Sequence, residues 1–297
     1  MRAKRGWGAR ALLMALVCSM VFVLPVWAEV VPLPIDDSPG MPPLSEGYQG
    51  DLVYEDPSIR VTIEQRRDYG TDYWVARITL QHPSQLRTAS AAGFESQRTI
   101  DGMVLARRMR GVLSINGDYF SYNPDGFLIR QGQSYRNQPN RFRDLLLIDA
   151  KGDFHLVLQS RHDQLAGFAE GEIVNSFNFG PALVVNGERV KKFWNNGYAA
   201  HKPRQRIAIA QVEKGKLEYL AIVSAGSGFK GSNRGLTIEE FSNVVVKLGV
   251  ESAYNLDGGN STMMMFNDTY INADLADSMR EISDIIYFAS AYKPDGQ

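Results

Sequence analysis

The chain has 297 residues with 32 Lys+Arg, 33 Asp+Glu and one cysteine, and its formal net charge is −1. That balance offers no basic field of the kind that draws a protein to nucleic acid. A lone cysteine allows no internal disulfide, so the fold must rest on its core, and a chain of this length can bury one large domain.

At the N-terminus, Arg2, Lys4, Arg5 and Arg10 precede an uncharged apolar run over residues 11–24, followed by Pro25 and Val26-Trp27-Ala28. The run is shorter than the roughly 20 residues that a membrane helix needs, and the layout is that of a signal peptide cleaved after Ala28. A retained anchor is the competing reading. Cys18 follows Val17 rather than a small residue, which does not suit lipidation, and it leaves with the signal. Cleavage takes four of the 32 basic residues and none of the 33 acidic ones, leaving about five acids in excess. The expected address is the periplasm or the medium, with no stable membrane insertion after cleavage.

Residues 29–50 hold Pro32, Pro34, Pro39, Pro42 and Pro43, a composition that excludes a helix or a central strand and reads as a linker or a wrapped arm. The domain is expected over residues 51–297. Apolar residues alternate at Ile59, Val61 and Ile63 and again at Trp74, Ala76, Ile78 and Leu80, which predicts strands. Residues 99–111 carry Ile100, Met103, Val104 and Arg107 at helical spacing, with Arg108 and Arg110 as a solvated side. Residues 145–149 and 154–158 flank Lys151-Gly152-Asp153, and residues 207–212 and 217–223 flank Lys214-Gly215-Lys216; both pairs read as hairpins. A helix is predicted over 237–248, with a Thr237/Glu240 capping box, an apolar stripe and Gly249 as its end. Strands arranged as hairpins, with few helices, give an α+β class: a single domain with a largely antiparallel or mixed β-sheet.

Three segments join an apolar strand to a Gly-rich polar turn, the arrangement by which a rigid sheet presents reactive groups. They are Ser114-Ile115-Asn116-Gly117-Asp118-Tyr119-Phe120, residues 178–188 with Phe179-Gly180-Pro181, and Tyr254-Asn255-Leu256-Asp257-Gly258-Gly259-Asn260-Ser261-Thr262. Alone, Asn186-Gly187 reads as an ordinary hairpin turn, and Asn116-Gly117 reads as well as a simple turn as it does as a functional one. The third sets a carboxylate, Asp257, beside successive backbone N–H groups at Gly258 and Gly259 and the hydroxyls of Ser261 and Thr262, a concavity suited to an anion or to sugar hydroxyls. Calcium is the rival ligand through Asp257, Asn260 and Asp268, but that spacing matches no dedicated calcium loop, so no cofactor is expected. Met263-Met264-Met265-Phe266 reads as core.

Taken together and in order, these segments resemble the phosphodiester glycosidase family. The resemblance rests on Asn116-Gly117 with Tyr119-Phe120, on the Phe-Gly-Pro-x-Leu-Val strand 179–184 with Asn186-Gly187, on the loose match Arg206-Ile207-Ala208-Ile209, and on residues 232–240. It is completed by the intact Asn255-Leu256-Asp257-Gly258-Gly259 and the closing Arg280-x-x-Ser283-Asp284-x-x-Tyr287 run. It spans residues 93–290. Ile207 in place of the usual threonine, and Asn260 in place of Gly or Ser, are departures that bear on the polar lining.

The resemblance implies an exported hydrolase that cleaves a sugar-1-phosphodiester in a polysaccharide, glycolipid or phosphate-linked glycan. Its partner is then a carbohydrate or sugar phosphate. Asp257 is expected as the carboxylate near the anomeric carbon, with Asp118 activating water or acting as the second acid/base group. Arg206 is the leading phosphate clamp, with Arg204 and Arg280 as substitutes, and Asn116 and Ser261 orient substrate. His201 precedes the arginines as a further contact, Glu240 reads as a cap, and Phe193, Trp194 and Tyr198 are aromatic candidates for a sugar face or for packing. The alternative is a noncatalytic carbohydrate-binding or envelope-assembly protein on the same fold; a transferase stands between the two.

Overall fold

The computed structural model describes residues 29–138, 142–159, 171–193, 200–226, 232–272 and 279–294. The expected signal, together with Trp194 and Tyr198, lies outside the described residues.

Two sheets carry the architecture. The larger has eight strands in the order Glu188–Arg189, Ala182–Val185, Ser252–Asn255, Ile207–Gln211, Glu218–Ser224, Thr71–Leu80, Ile59–Asp68 and Val53–Glu55. The second has five, in the order Thr269–Tyr270, Met264–Phe266, Gly111–Asn116, Asp284–Ala289 and Leu86–Ser90. A three-stranded sheet, Phe154–Val157, Leu145–Asp149 and Ile173–Phe177, and a hairpin, Gly126–Arg130 with Gln133–Gln138, complete the rest with one terminal pair. Every strand pairing among the described residues is antiparallel. The described α-helices are only α1 (Gly102–Arg108) and α2 (Ile238–Val246), so the chain is mostly β and the α+β expectation overstates the helix.

The layering follows from which residues each strand offers to either side. In Ile207–Gln211, Ile207 and Ile209 enter a core shared by the two sheets, while Ala208 and Ala210 enter a second core beneath α2. In Asp284–Ala289, Ile286 and Phe288 join the shared core, and Ile285, Tyr287 and Ala289 form a third with Met103, Leu105 and Ala106 of α1. Strands buried on both faces read as continuous apolar runs, which is why these segments lack alternation. The capping box on α2 is present as predicted: Thr237 Oγ1 accepts from the Glu240 amide at 3.2 Å, and Glu240 Oε2 accepts from the Thr237 amide at 3.0 Å. The helix ends two residues short of the predicted 248.

Residues 29–50 lie along the domain. Glu29–Val30 pairs with Tyr292–Lys293, and Met41 bridges to Ser290. The guanidinium of Arg87, 1% exposed, donates to the carbonyls of Pro34 (2.7 Å), Asp36 (2.8 Å), Ser38 (3.0 Å) and Ser84 (3.2 Å) and to the Tyr287 hydroxyl (3.0 Å). Prolines cannot donate ladder bonds, so a buried cation collecting carbonyls is a means of holding such a segment.

Candidate active site

Strand Ser252–Asn255 lies inside the large sheet and strand Gly111–Asn116 inside the smaller, and the turns that follow them meet. Asn116, 1% exposed, makes the join: its Nδ2 donates to the Asp257 carbonyl at 2.8 Å and its Oδ1 accepts from the Met263 amide at 3.1 Å. The Asp257 amide adds a 3.4 Å bond to the Gly117 carbonyl. Asn116 thus fastens the Asp257 turn and does not line the cleft above it. Gly258 is required by close approach, because a Cβ there would stand 2.8 Å from the Gln205 carbonyl oxygen.

The cleft has a volume of about 510 Å³, within the roughly 300–1,000 Å³ of small-molecule sites. Asp257 is its one carboxylate among the described lining residues, and Arg204, Arg206 and Arg280 are its cations. Arg280 Nη2 reaches Asp257 Oδ2 at 2.5 Å, and its Nε donates to the Ser261 hydroxyl. Burial pushes the Asp257 carboxyl above its ordinary value, against the opposing pull of Ser261 and Arg280. Arg206 is 5% exposed and donates to the carbonyls of Leu236 (3.0 Å) and Lys202 (2.7 Å). Burial, and then the neighbouring Arg204 charge, bring its pKa down to about 10, so it stays a cation at neutral pH. Arg204 is exposed and makes no side-chain hydrogen bond or ion pair among the described residues. Asn255 also lines the cleft, with its buried Oδ1 lacking a hydrogen-bond partner among the described residues.

The other expected residues fall in different places. Gly258 and Gly259 line the cleft. Ser261 and Thr262, 1% and 2% exposed, sit behind the turn, where Ser261 serves Arg280. His201 is exposed and does not line the cleft. Phe193 packs in the core beneath α2. Ile207 is fully buried in the shared core, so the departure from threonine does not alter the lining, whereas Asn260 does line it. Asp268 pairs with Arg107 at 2.7 Å, and no group of three His, Cys, Asp or Glu placed to hold a metal occurs among the described residues.

Asp118 does not line the cleft. It is 2% exposed, with Oδ1 accepting from Arg130 Nη2 at 2.7 Å and Oδ2 from the Asn178 amide at 2.8 Å. The same Arg130 nitrogen lies 3.5 Å from Asp284 Oδ2. One buried guanidinium thus faces two carboxylates. Desolvation, then the Asp118 charge, pushes the Asp284 carboxyl up to about 7. Asp284 and Asp257 border one narrow crevice with Asn116, Gly117 and Tyr119. Sequence reasoning assigned no role to Arg130 or Asp284; the sole signal was the place of Asp284 in the closing run, and Arg130 gave none. It placed Tyr119 within the resemblance without giving its ring a role and passed over Tyr122; both rings line the cleft.

The profile of the phosphodiester glycosidase family matches residues 109–289, more than half of the chain. The chain belongs to that family. The match takes in both turns that meet at the cleft. Among solved structures, the chain is similar to the zebrafish N-acetylglucosamine-1-phosphodiester alpha-N-acetylglucosaminidase catalytic domain, auto-inhibited by its pro-peptide. The TM-score is 0.62 at 18% identity, over 84% of this chain and 87% of that one. It is also similar to a hypothetical protein from Synechocystis, with a TM-score of 0.52 at 16% identity, over 77% of this chain and 62% of that one. Both likenesses concern the fold. No sequence among curated proteins matches the chain.

Proposed function

We propose that the protein is an exported hydrolase that breaks the bond between a sugar anomeric carbon and a phosphodiester oxygen, with Asp257 as its catalytic carboxylate. The observation that carries this reading is a cleft in which one buried carboxylate stands among three guanidinium groups. A phosphomonoester leaves as a weak base, so the demand falls on holding its charge and on supporting the oxocarbenium-like centre. Arg204, Arg206 and Arg280 supply the first; ionised Asp257 supplies the second and receives the proton of the attacking water. Water adds to the anomeric carbon, the carbon–oxygen bond breaks with its electrons on the phosphate, and the sugar departs with a hydroxyl. Arg280 has a double part: in the free protein it pulls the Asp257 carboxyl down against the lift of burial, and it offers the planar fork to which phosphate oxygens can bind.

Because both Asp118 oxygens are engaged away from the cleft, proton transfer is given to Asp257 alone, and Asp118 supports the turn. Ile207 no longer favours a binding-only protein, since its side chain faces the core. The test is release of free sugar from a panel of sugar-1-phosphodiesters beside the Asp257→Asn variant. A fall of at least about 100-fold in kcat is expected, the lower end of what a positioned acid/base group contributes. Equal release by both proteins would remove Asp257 from the chemistry.

A further inference from the structure

Arg280 and Asp257 are bonded to each other but differ in freedom. The Arg280 amide donates to the Asn260 carbonyl at 3.1 Å, whereas 44% of its side chain is exposed. Its Nη2 is on Asp257 and its Nε on the Ser261 hydroxyl; Nη1 makes no hydrogen bond or ion pair among the described residues. Asp257 is 8% exposed and fixed from both sides of its backbone, the carbonyl by Asn116 and the amide by the Gly117 carbonyl. The cation can therefore shift toward an incoming ligand, and the carboxylate cannot follow it. Arg204 and Arg206 share its cleft, and Tyr119 and Asp284 share its crevice, while the Asp118 charge acts on it from the neighbouring turn. Arg280 is the one cation bonded to Asp257 among the described residues.

We propose that a tetrahedral oxyanion entering the cleft draws Arg280 away from Asp257 and brings a proton from solvent onto that carboxylate, so that anion and proton bind together and the phosphate product inhibits most strongly in acid. This rests on the proposed function for where the phosphate sits. Burial already raises the Asp257 carboxyl, with Ser261 and Arg280 opposing the rise. A guanidinium shared with a dianion opposes it less, and the dianion adds a like charge nearby, so both changes favour the neutral acid. Linkage makes the effect reciprocal: protonation of Asp257 tightens anion binding by the factor by which the anion favours protonation. Arg204 and Arg206 hold their charge at neutral pH and below, so they add affinity without adding this dependence.

Titration calorimetry with sulfate, a dianion that does not titrate between about pH 5 and pH 8, reads the coupling without turnover. Repeated in two buffers of different ionisation enthalpy, it counts the protons taken up. Affinity is expected to fall about tenfold from pH 5 to pH 7, with net proton uptake on binding between them. Asp257→Asn should bind sulfate at about pH 7 as tightly as the unchanged protein does at about pH 5, with no uptake, whereas Asp284→Asn should keep both effects. Equal affinities at the two pH values, or uptake that survives Asp257→Asn, would overturn the coupling and leave the proposed function standing. No sulfate binding at either pH would remove the anion site and the proposed function with it. Turnover supplies a second reading. The acid limb of kcat, which reports the complex, should lie at higher pH than that of kcat/KM, which reports the free protein, and coincident limbs would contradict the coupling.

Discussion

Asp257 and Arg280 form a pair whose value depends on pH. Burial raises the Asp257 carboxyl and Arg280 opposes the rise, so removing the cation must lift it further. Only the ionised carboxylate can take a proton from water. Arg280→Met is therefore expected to move the acid limb of the kcat/KM profile to higher pH, besides weakening phosphate binding; an unmoved limb would dissociate Arg280 from Asp257. Asp118→Asn should change kcat by less than tenfold, because Asp118 is spent on Arg130 and the Asn178 amide. A loss as large as that of Asp257→Asn would restore it as the second catalytic carboxylate. The aspartate closing a strand before two glycines was legible in sequence, and the structure sets it in the cleft. The work of Asn116 was not: an amide that binds sugar and one that binds backbone have the same composition, and only the 2.8 Å bond to the Asp257 carbonyl tells them apart.

The elements around the cleft are joined by Asp118, Arg130 and Asp284, which come from a turn, a hairpin strand and a sheet strand. Burial beside the Asp118 charge pushes the Asp284 carboxyl up to about 7, against the opposing pull of Arg130. The native carboxyl holds its proton to about pH 7, whereas the unfolded one loses it near 4. The group's contribution to stability is therefore fully present below pH 4 and lost as pH rises from 4 to 7. Asp284→Asn should flatten the Tm-against-pH curve in that window; an unchanged slope would mean that the proton resides elsewhere. Gly117 stands so close that a Cβ would lie 2.0 Å from Asp284 Oδ2, and Gly117→Ala is expected to cost about 1–3 kcal/mol by denaturant unfolding. Hairpins and the capped helix α2 could be read from the sequence because their signals are local. The buried triad could not, since Asp284 stands 154 residues from Arg130 and a charged residue in a strand ordinarily reads as surface.

At the scale of the molecule, two antiparallel sheets whose inner strands are buried on both faces bring the ends of those strands together, and the cleft is the consequence. The β-rich character was legible, but not which runs share a sheet, because continuous apolar strands carry no face preference. The Pro-rich composition of residues 29–50 left open whether they hang free; Arg87 settles how they are held. Arg87→Met should speed limited proteolysis within residues 31–40 and lower Tm, and an unchanged cleavage rate would show that the strand pairing at residues 29 and 30 suffices. A glycosidase breaks the bond on the carbon side of the bridging oxygen, and a phosphodiesterase the one on the phosphorus side. Hydrolysis of a sugar-1-phosphodiester in ¹⁸O-water, with the phosphate product read by its phosphorus NMR isotope shift, tells the two apart directly. Phosphate free of label is the expected result; label in the phosphate would mean attack at phosphorus and would contradict a glycosidase built on Asp257.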